Sequence, residues 1–123
     1  MTIATQHLGA LGQKMAERYF KSLGHHILVI NFKLPFGEID LITKFQKSIY
    51  FIEIKTTKDG LVSPYKKWKS KQKLRMYKVA KFFLEYNPSI RYEDLNFELI
   101  WFDLLANSKV RLKRYKNIEL DYG

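Results

Sequence analysis

Three ionisable side chains interrupt two apolar segments of this chain. Asp40 lies in the segment GEIDLI (37–42), and Glu53 and Lys55 lie in the segment YFIEIKT (50–56). Burying unpaired charge is costly, so a buried strand carries such groups only for a reason. Residues two apart on a strand point to the same face, so Glu53 and Lys55 project together. Asp40 joins them if the two segments pair.

This trio is suited to metal-assisted chemistry on a phosphate. Asp40 and Glu53 are predicted metal ligands, because carboxylate oxygens suit Mg²⁺ or Mn²⁺. Lys55 can orient a water molecule or stabilise charge that develops at a phosphorus centre. An alternative for Glu53 and Lys55 alone is a structural ion pair at a strand end. Asp40 and the basic surface described below favour a site.

The spacing of apolar residues predicts the elements that position the trio. The expected order is α-β-β-β-α-β-β, with helices at 6–23 and 66–86 and strands at 27–30, 38–44, 48–56, 97–104 and 110–115. Turn signals at 35–37, 45–47 and 106–108 separate the strands. This order predicts an α/β fold, one domain over residues 1–123, with a mixed central sheet flanked by helices.

The charge balance indicates a polyanionic partner. The 123 residues include 22 Lys and Arg against 12 Asp and Glu, a net charge of +10. Such a field attracts DNA, RNA or an anionic membrane surface. No apolar run reaches the ~20 residues of a membrane span, and the N-terminal segment lacks a signal-peptide pattern. The chain has no cysteine, which excludes disulfides and cysteine zinc sites. We expect a cytoplasmic protein without a membrane partner.

The second predicted helix carries a run of cations without an intervening acid. Tyr65, Trp68 and Tyr77 are interleaved with them and could stack on bases or pack under lysine stems. The residues predicted to bind nucleic acid are Lys67, Lys71, Lys73, Arg75 and Lys78. The alternative is a solvated helix face. Five further cations in 109–116 either extend the footprint or protect an edge strand.

A family resemblance rests on GEIDLI followed after eight residues by FIEIKTT, together with GQKMAERYF (12–20) and NFK (31–33). The chain resembles the YraN family, which is similar to the restriction-endonuclease-like superfamily with the PD-(D/E)XK signature and to archaeal Holliday junction resolvases. The resemblance implies that Asp40 and Glu53 hold Mg²⁺ or Mn²⁺ and that Lys55 acts at the attacking water. It also makes Glu38 an accessory candidate.

The chain departs from the family pattern at the first helix. Gln13 stands where the family usually has glutamate, and an amide is a poorer metal ligand than a carboxylate. Glu17, one helical turn further on, is an alternative source of the missing carboxylate. The alternative for Gln13 itself is a solvated helix residue outside the site. The family's helix-two position is open between Gln72 and Lys73, and the arginine of its later strand is replaced in N-F-E-L (96–99).

The leading functional hypothesis is a metal-dependent endonuclease that acts on DNA, including branched or structured DNA. Its predicted catalytic set is Asp40, Glu53, Lys55 and Gln13. The alternative is a non-catalytic nucleic-acid-binding module that keeps the nuclease fold. A third hypothesis is an assembly factor whose basic surface meets RNA or an acidic partner. A homodimer is compatible with two cuts, although no dimer patch is evident in the sequence.

Overall fold

The computed structural model describes residues 3–60, 62–116 and 118. The chain begins with helix α1 and the three strands β1, β2 and β3. Helices α2 and α3 follow, and strands β4 and β5 complete the fold. Their bounds are α1 Ile3–Ser22, β1 His26–Leu34, β2 Gly37–Phe45, β3 Ser48–Lys58, α2 Pro64–Lys67, α3 Ser70–Tyr86, β4 Asp94–Leu104 and β5 Val110–Tyr115.

The five strands form one mixed sheet in the order β1-β2-β3-β4-β5. Neighbouring strands are antiparallel, except that β3 and β4 are parallel. A parallel pair needs a crossover connection, which α2 and α3 supply. The predicted mixed sheet, with three strands before the crossover and two after it, is therefore confirmed, whereas the crossover contains two helices instead of the predicted one.

Each face of the sheet is covered by a helix. On one face, α1 buries Ala16 and Phe20 against a cluster of sheet residues that comprises Leu41, Ile52, Ile100 and Phe102. On the other face, α3 buries its apolar side, Met76, Val79, Ala80 and Phe83, against the sheet residues Ile39, Ile42, Ile49, Phe51, Leu99 and Trp101.

Within the described residues, no helix combines the length and apolarity that crossing a membrane requires.

The prediction of one continuous helix over 66–86 is wrong, because the chain leaves the helix at Trp68. Trp68 has extended backbone angles, and its indole is buried in the core. Lys69 is the N-cap of α3, and the Gln72 side chain accepts a hydrogen bond from the Lys69 amide. Bringing the indole into the core interrupts the helix, although no proline or glycine marks the break.

Two of the C-terminal cations neutralise buried acids of β4. Arg114 Nε donates to Glu98 Oε1 at 2.6 Å, and both side chains are largely buried. Arg111 donates to Asp103 Oδ2 at 2.8 Å. The cations of 109–116 were expected either to extend the nucleic-acid footprint or to protect an edge strand. Neither role describes Arg114, whose side chain is part of the interior. The exposed lysines of this segment do lie along the edge strand β5.

Candidate active site

The candidate site lies where β2 and β3 separate. Their antiparallel ladder ends at the pair Leu41 and Ile52, so Asp40 and Glu53 are the next residues along the two strands. The Ile54 amide donates to Asp40 Oδ2 at 2.7 Å. The Asp40 side chain thus accepts a hydrogen bond from the backbone of β3 just beyond the end of the ladder. This bond holds the side chain where the two strands separate.

The structure brings Asp40, Glu53 and Lys55 together. The carboxyl groups of Asp40 and Glu53 are hydrogen-bonded to each other. Lys55 Nζ lies 3.8 Å from Glu53 Oε1. The Glu53 side chain is 19% exposed, whereas Lys55 reaches further toward solvent. The trio therefore combines a largely buried carboxyl group with a cation that solvent and ligands can reach.

Burial, together with the hydrogen bond and negative charge of Asp40, raises the pKa of Glu53 to about 9. Lys55 opposes this shift, and Glu38 adds to it. Two adjacent carboxyl groups cannot both ionise cheaply, so the pair retains a proton. A divalent cation between them would remove this penalty and displace the proton.

Two clefts meet at the trio. One, of about 450 Å³, lies toward α3 and is lined in part by Glu53, Gln72 and Arg75. The other, of about 700 Å³, lies toward α1 and is lined in part by Gln13 and Asp40. The two clefts share three charged residues, which are Lys33, Glu38 and Lys55. The site is therefore open toward both faces of the sheet.

Gln13 lies beside Asp40, at the wall of the α1 cleft. Its Nε2 donates to the backbone oxygen of Asp40 at 3.4 Å. The position of Gln13 depends on its neighbour Gly12, where an added Cβ would lie 1.9 Å from Thr56 Oγ1. The missing side chain lets α1 approach β3 closely. Glu17 lines the same cleft as Gln13 and Asp40, so it remains an alternative candidate at this site.

The two candidates on α3 point in different directions. Gln72 lines the α3 cleft, and its Oε1 already accepts from the Lys69 amide. Lys73 Nζ instead lies over the rings of Tyr65 and Trp68, at 5.3 and 5.8 Å from their centroids. Gln72 is therefore the residue of this pair at the site.

The other predicted nucleic-acid-binding residues surround the clefts to different degrees. Arg75 lines the α3 cleft itself. Lys67 lines a neighbouring cleft together with Lys55. Lys71 and Lys78 are exposed on the outer side of α3. These cations place positive charge on the rim, outside the carboxyl pair.

The segment after Lys55 is anchored by the buried Asp103. Thr57 Oγ1 and the Gly60 amide donate to Asp103 Oδ1 at 2.7 and 2.8 Å. Burial alone would raise the pKa of Asp103, but these hydrogen bonds and the charge of Arg111 hold that pKa below its ordinary value. The anchor fixes the end of β3 and hence the position of Lys55.

The donor set is compatible with Mg²⁺ or Mn²⁺, although it is small. Across residues 3–60, 62–116 and 118, no three His, Cys, Asp or Glu side chains are grouped as a metal cluster. Mg²⁺ commonly keeps several waters and binds one or two protein carboxylates. The proton-sharing pair Asp40 and Glu53 meets that requirement.

Sequence reasoning noted Lys33 only within NFK (31–33) and gave it no role at the site. Lys33 lines both clefts, and its Nζ lies 3.9 Å from Glu38 Oε2. The predicted first strand ended at Ile30, whereas β1 continues to Leu34 and pairs Lys33 with Glu38. The turn signal at 35–37 was the available clue, because a tight hairpin requires pairing on both sides of its turn.

Comparison with known proteins identifies the family. The sequence model of the uncharacterised protein family UPF0102 matches residues 12–106. A UPF0102 protein of Fervidobacterium nodosum is 30% identical over 91% of this chain and 81% of the relative. A relative from Campylobacter fetus is 32% identical over 89% of this chain and 91% of its own length. This chain belongs to the UPF0102 family, which is the YraN family indicated by its GEIDLI and FIEIKTT segments.

Proposed function

We propose that this protein is a metal-dependent endonuclease that binds DNA and hydrolyses its phosphodiester bonds. The observation that carries the proposal is the hydrogen-bonded pair Asp40 and Glu53, with Lys55 Nζ 3.8 Å from Glu53. An ion pair that only stabilised the strand end would not need a second carboxyl group at the same point. These three residues are the ones that the resemblance to the PD-(D/E)XK superfamily implies for the site.

The residues of the chain would divide the work as follows. Asp40 and Glu53 would hold Mg²⁺ or Mn²⁺, which would neutralise charge at the phosphodiester and lower the pKa of water when bound. The bond from the Ile54 amide fixes Asp40 Oδ2, so the carboxylate is oriented before a ligand arrives. Lys55 orients the attacking water and stabilises negative charge that develops on the phosphoryl oxygens.

The cations around the clefts would bind the phosphates on either side of the scissile bond. Arg75 and Lys33 line the α3 cleft with Glu53 and Lys55. Lys67, Lys71 and Lys78 extend the positive surface along α2 and α3. The net charge of +10 favours association with a polyanion before any local contact forms. A homodimer would supply the second site for cuts in both strands.

The alternative function is a nucleic-acid-binding module without turnover. Gln13 favours it, because this amide donates to the Asp40 backbone where a glutamate would add a negatively charged ligand. In that case the basic surface still binds DNA, and the carboxyl pair has no role in hydrolysis.

The two functions are separated by a cleavage assay on labelled duplex, flap and four-way DNA with Mg²⁺ or Mn²⁺. The nuclease proposal expects a metal-dependent product from at least one substrate, with Asp40→Ala at background. Binding of the same DNA without any product above the Asp40→Ala level supports the module.

A further inference from the structure

Three exposed aromatic rings form a continuous strip beside the α3 cleft. The centroids of Phe36 and Phe82 are 5.2 Å apart, and those of Phe82 and Tyr86 are 6.0 Å apart. Phe36, Phe82 and Tyr86 are 40%, 37% and 70% exposed. We call these three residues the aromatic strip. Exposed apolar surface of this kind marks an interaction site more often than an isolated ring does.

The strip continues a line of cations along one side of α3. Positions separated by three or four residues share a helix face. Lys71, Arg75, Lys78, Phe82 and Tyr86 follow this spacing, and all five are exposed. From Lys71 to Tyr86 the line covers about 22 Å of helix. Its first part is cationic and its last part is aromatic.

The hairpin turn connects this line to the candidate active site. Phe36 lies between Pro35 and Gly37, which both line the α3 cleft. A Cβ on Gly37 would lie 3.0 Å from Val79 Cγ2, so the turn packs closely on α3. The strip is therefore a fixed surface at the cleft rim.

We infer that the aromatic strip binds the unpaired bases of a DNA strand whose phosphates lie along the cations of α3. Bases stack on aromatic rings without regard to sequence, and cations track the backbone. In an intact duplex the base faces are stacked inside, so the strip engages flaps, ends or branch points. This inference rests on the proposed function and names its substrate class as DNA with an unpaired segment next to the scissile bond.

The positive charge beside the strip favours a polyanion over a second copy of this chain. A second copy carries the same net charge of +10, and its own α3 would bring like charges together. The bases of a single strand supply apolar faces and its phosphates supply the opposite charge, so one ligand satisfies both parts of the line.

The test compares two fluorescent oligonucleotides of equal length, oligo(dT) and an abasic strand, by anisotropy in EDTA. Both carry the same phosphates, and only one carries bases. The inference predicts that wild-type protein binds oligo(dT) about tenfold more tightly than the abasic strand. Combined Phe82→Ala and Tyr86→Ala substitution should remove this difference and leave affinity for the abasic strand unchanged.

The matched control is Tyr92→Ala. Tyr92 is an exposed tyrosine in the loop before β4, and it lies near Lys44, Lys47 and Arg91. Because it is not part of the aromatic strip, removing its ring should not change the ratio of the two affinities. Circular dichroism and gel filtration verify that the variants are folded, and light scattering follows their mass.

Equal wild-type affinity for the two strands overturns the inference, as does an unchanged ratio in the double variant. A fall in mass on substitution, without a change in the ratio, assigns the strip to self-association instead. Metal-dependent cleavage measured separately remains valid in each of these cases. Failure to bind either strand overturns this inference alone, because the proposed function is tested separately on duplex, flap and four-way DNA.

Discussion

The carboxyl groups of Asp40 and Glu53 are hydrogen-bonded to each other at the point where β2 and β3 separate. One oxygen of Asp40 is held by the Ile54 amide, and Glu53 lies beside Lys55. Because the pair is largely buried, it retains a proton that a divalent cation would displace. The stability of the protein and its pH dependence are therefore coupled at this pair, and the proposed metal binding would be coupled to both.

Replacement of Glu53 by glutamine should stabilise the metal-free protein above acidic pH. The pKa of Glu53 is about 9 in the folded state and near 4.5 as an ordinary glutamate. Between these values the folded protein binds more protons than the unfolded one, so the free energy of unfolding falls as pH rises. Glu53→Gln removes this loss, and we expect a gain of about 1–2 kcal/mol at pH 8.

The measurement is urea unfolding of wild type and Glu53→Gln at several pH values from 4 to 8, in EDTA. The difference between the two proteins should grow with pH. A difference that stays constant over this range would mean that Glu53 is ionised in the folded protein.

Gly12 and Gly9 offer a matched pair in α1. Gly12→Ala places a methyl group against Thr56 Oγ1, so we expect a loss of about 1–3 kcal/mol of stability. Gly9 has no neighbour within 4 Å of an added Cβ, and Gly9→Ala should stabilise by roughly 0.5–1 kcal/mol. Thermal unfolding measures both effects.

The Gly12 effect has its own internal check. Thr56→Ala removes the hydroxyl that the new methyl group meets, so it should recover part of the loss when combined with Gly12→Ala. If the two substitutions are simply additive, the close approach of α1 to β3 does not explain the requirement for glycine at this position.

Gln13→Glu should strengthen divalent metal binding. The substitution adds a negative charge beside Asp40, where the present amide donates to the Asp40 backbone oxygen. We expect a several-fold increase in Mn²⁺ affinity, because Mn²⁺ accepts carboxylate ligands readily. Gln46→Glu adds the same charge in the turn between β2 and β3, at the far end of their ladder, and serves as the control. Equal affinities in wild type and Gln13→Glu would remove Gln13 from the site.

The salt dependence of DNA binding should depend on α3. Each phosphate contact contributes about −0.9 to the slope of log K against log salt for duplex DNA. Combined substitution of Lys71, Arg75 and Lys78 by glutamine should flatten the slope by roughly two to three units.

The control for this slope removes the same net charge elsewhere, by combined substitution of Lys109, Lys113 and Lys116 with glutamine. Anisotropy titrations over a range of NaCl concentrations give both slopes. A flattened slope in the control, with none in the α3 variant, would move the phosphate contacts to the C-terminal edge.

The sequence predicted that Glu53 and Lys55 share a face, because residues two apart on a strand do so, and that Asp40 joins them if the two apolar segments pair. It did not predict the helix break at Trp68, because the need to bury one indole depends on the shape of the core. Lys33 was missed because Asn31 and Lys33 end the apolar run on an edge strand. Arg114 was interpreted as a surface cation because its partner, Glu98, is sixteen residues away in the chain.

Titration of the protein with Mn²⁺ by calorimetry, in two buffers with different ionisation enthalpies, tests the central claim most directly. The account predicts one site at the carboxyl pair, release of a proton on binding at pH 7, and loss of both in Glu53→Gln. Glu85→Gln, on the exposed side of α3, should behave as wild type. Absence of Mn²⁺ binding, or equal affinity and proton release in Glu53→Gln, would contradict the assignment of Asp40 and Glu53 as a metal site.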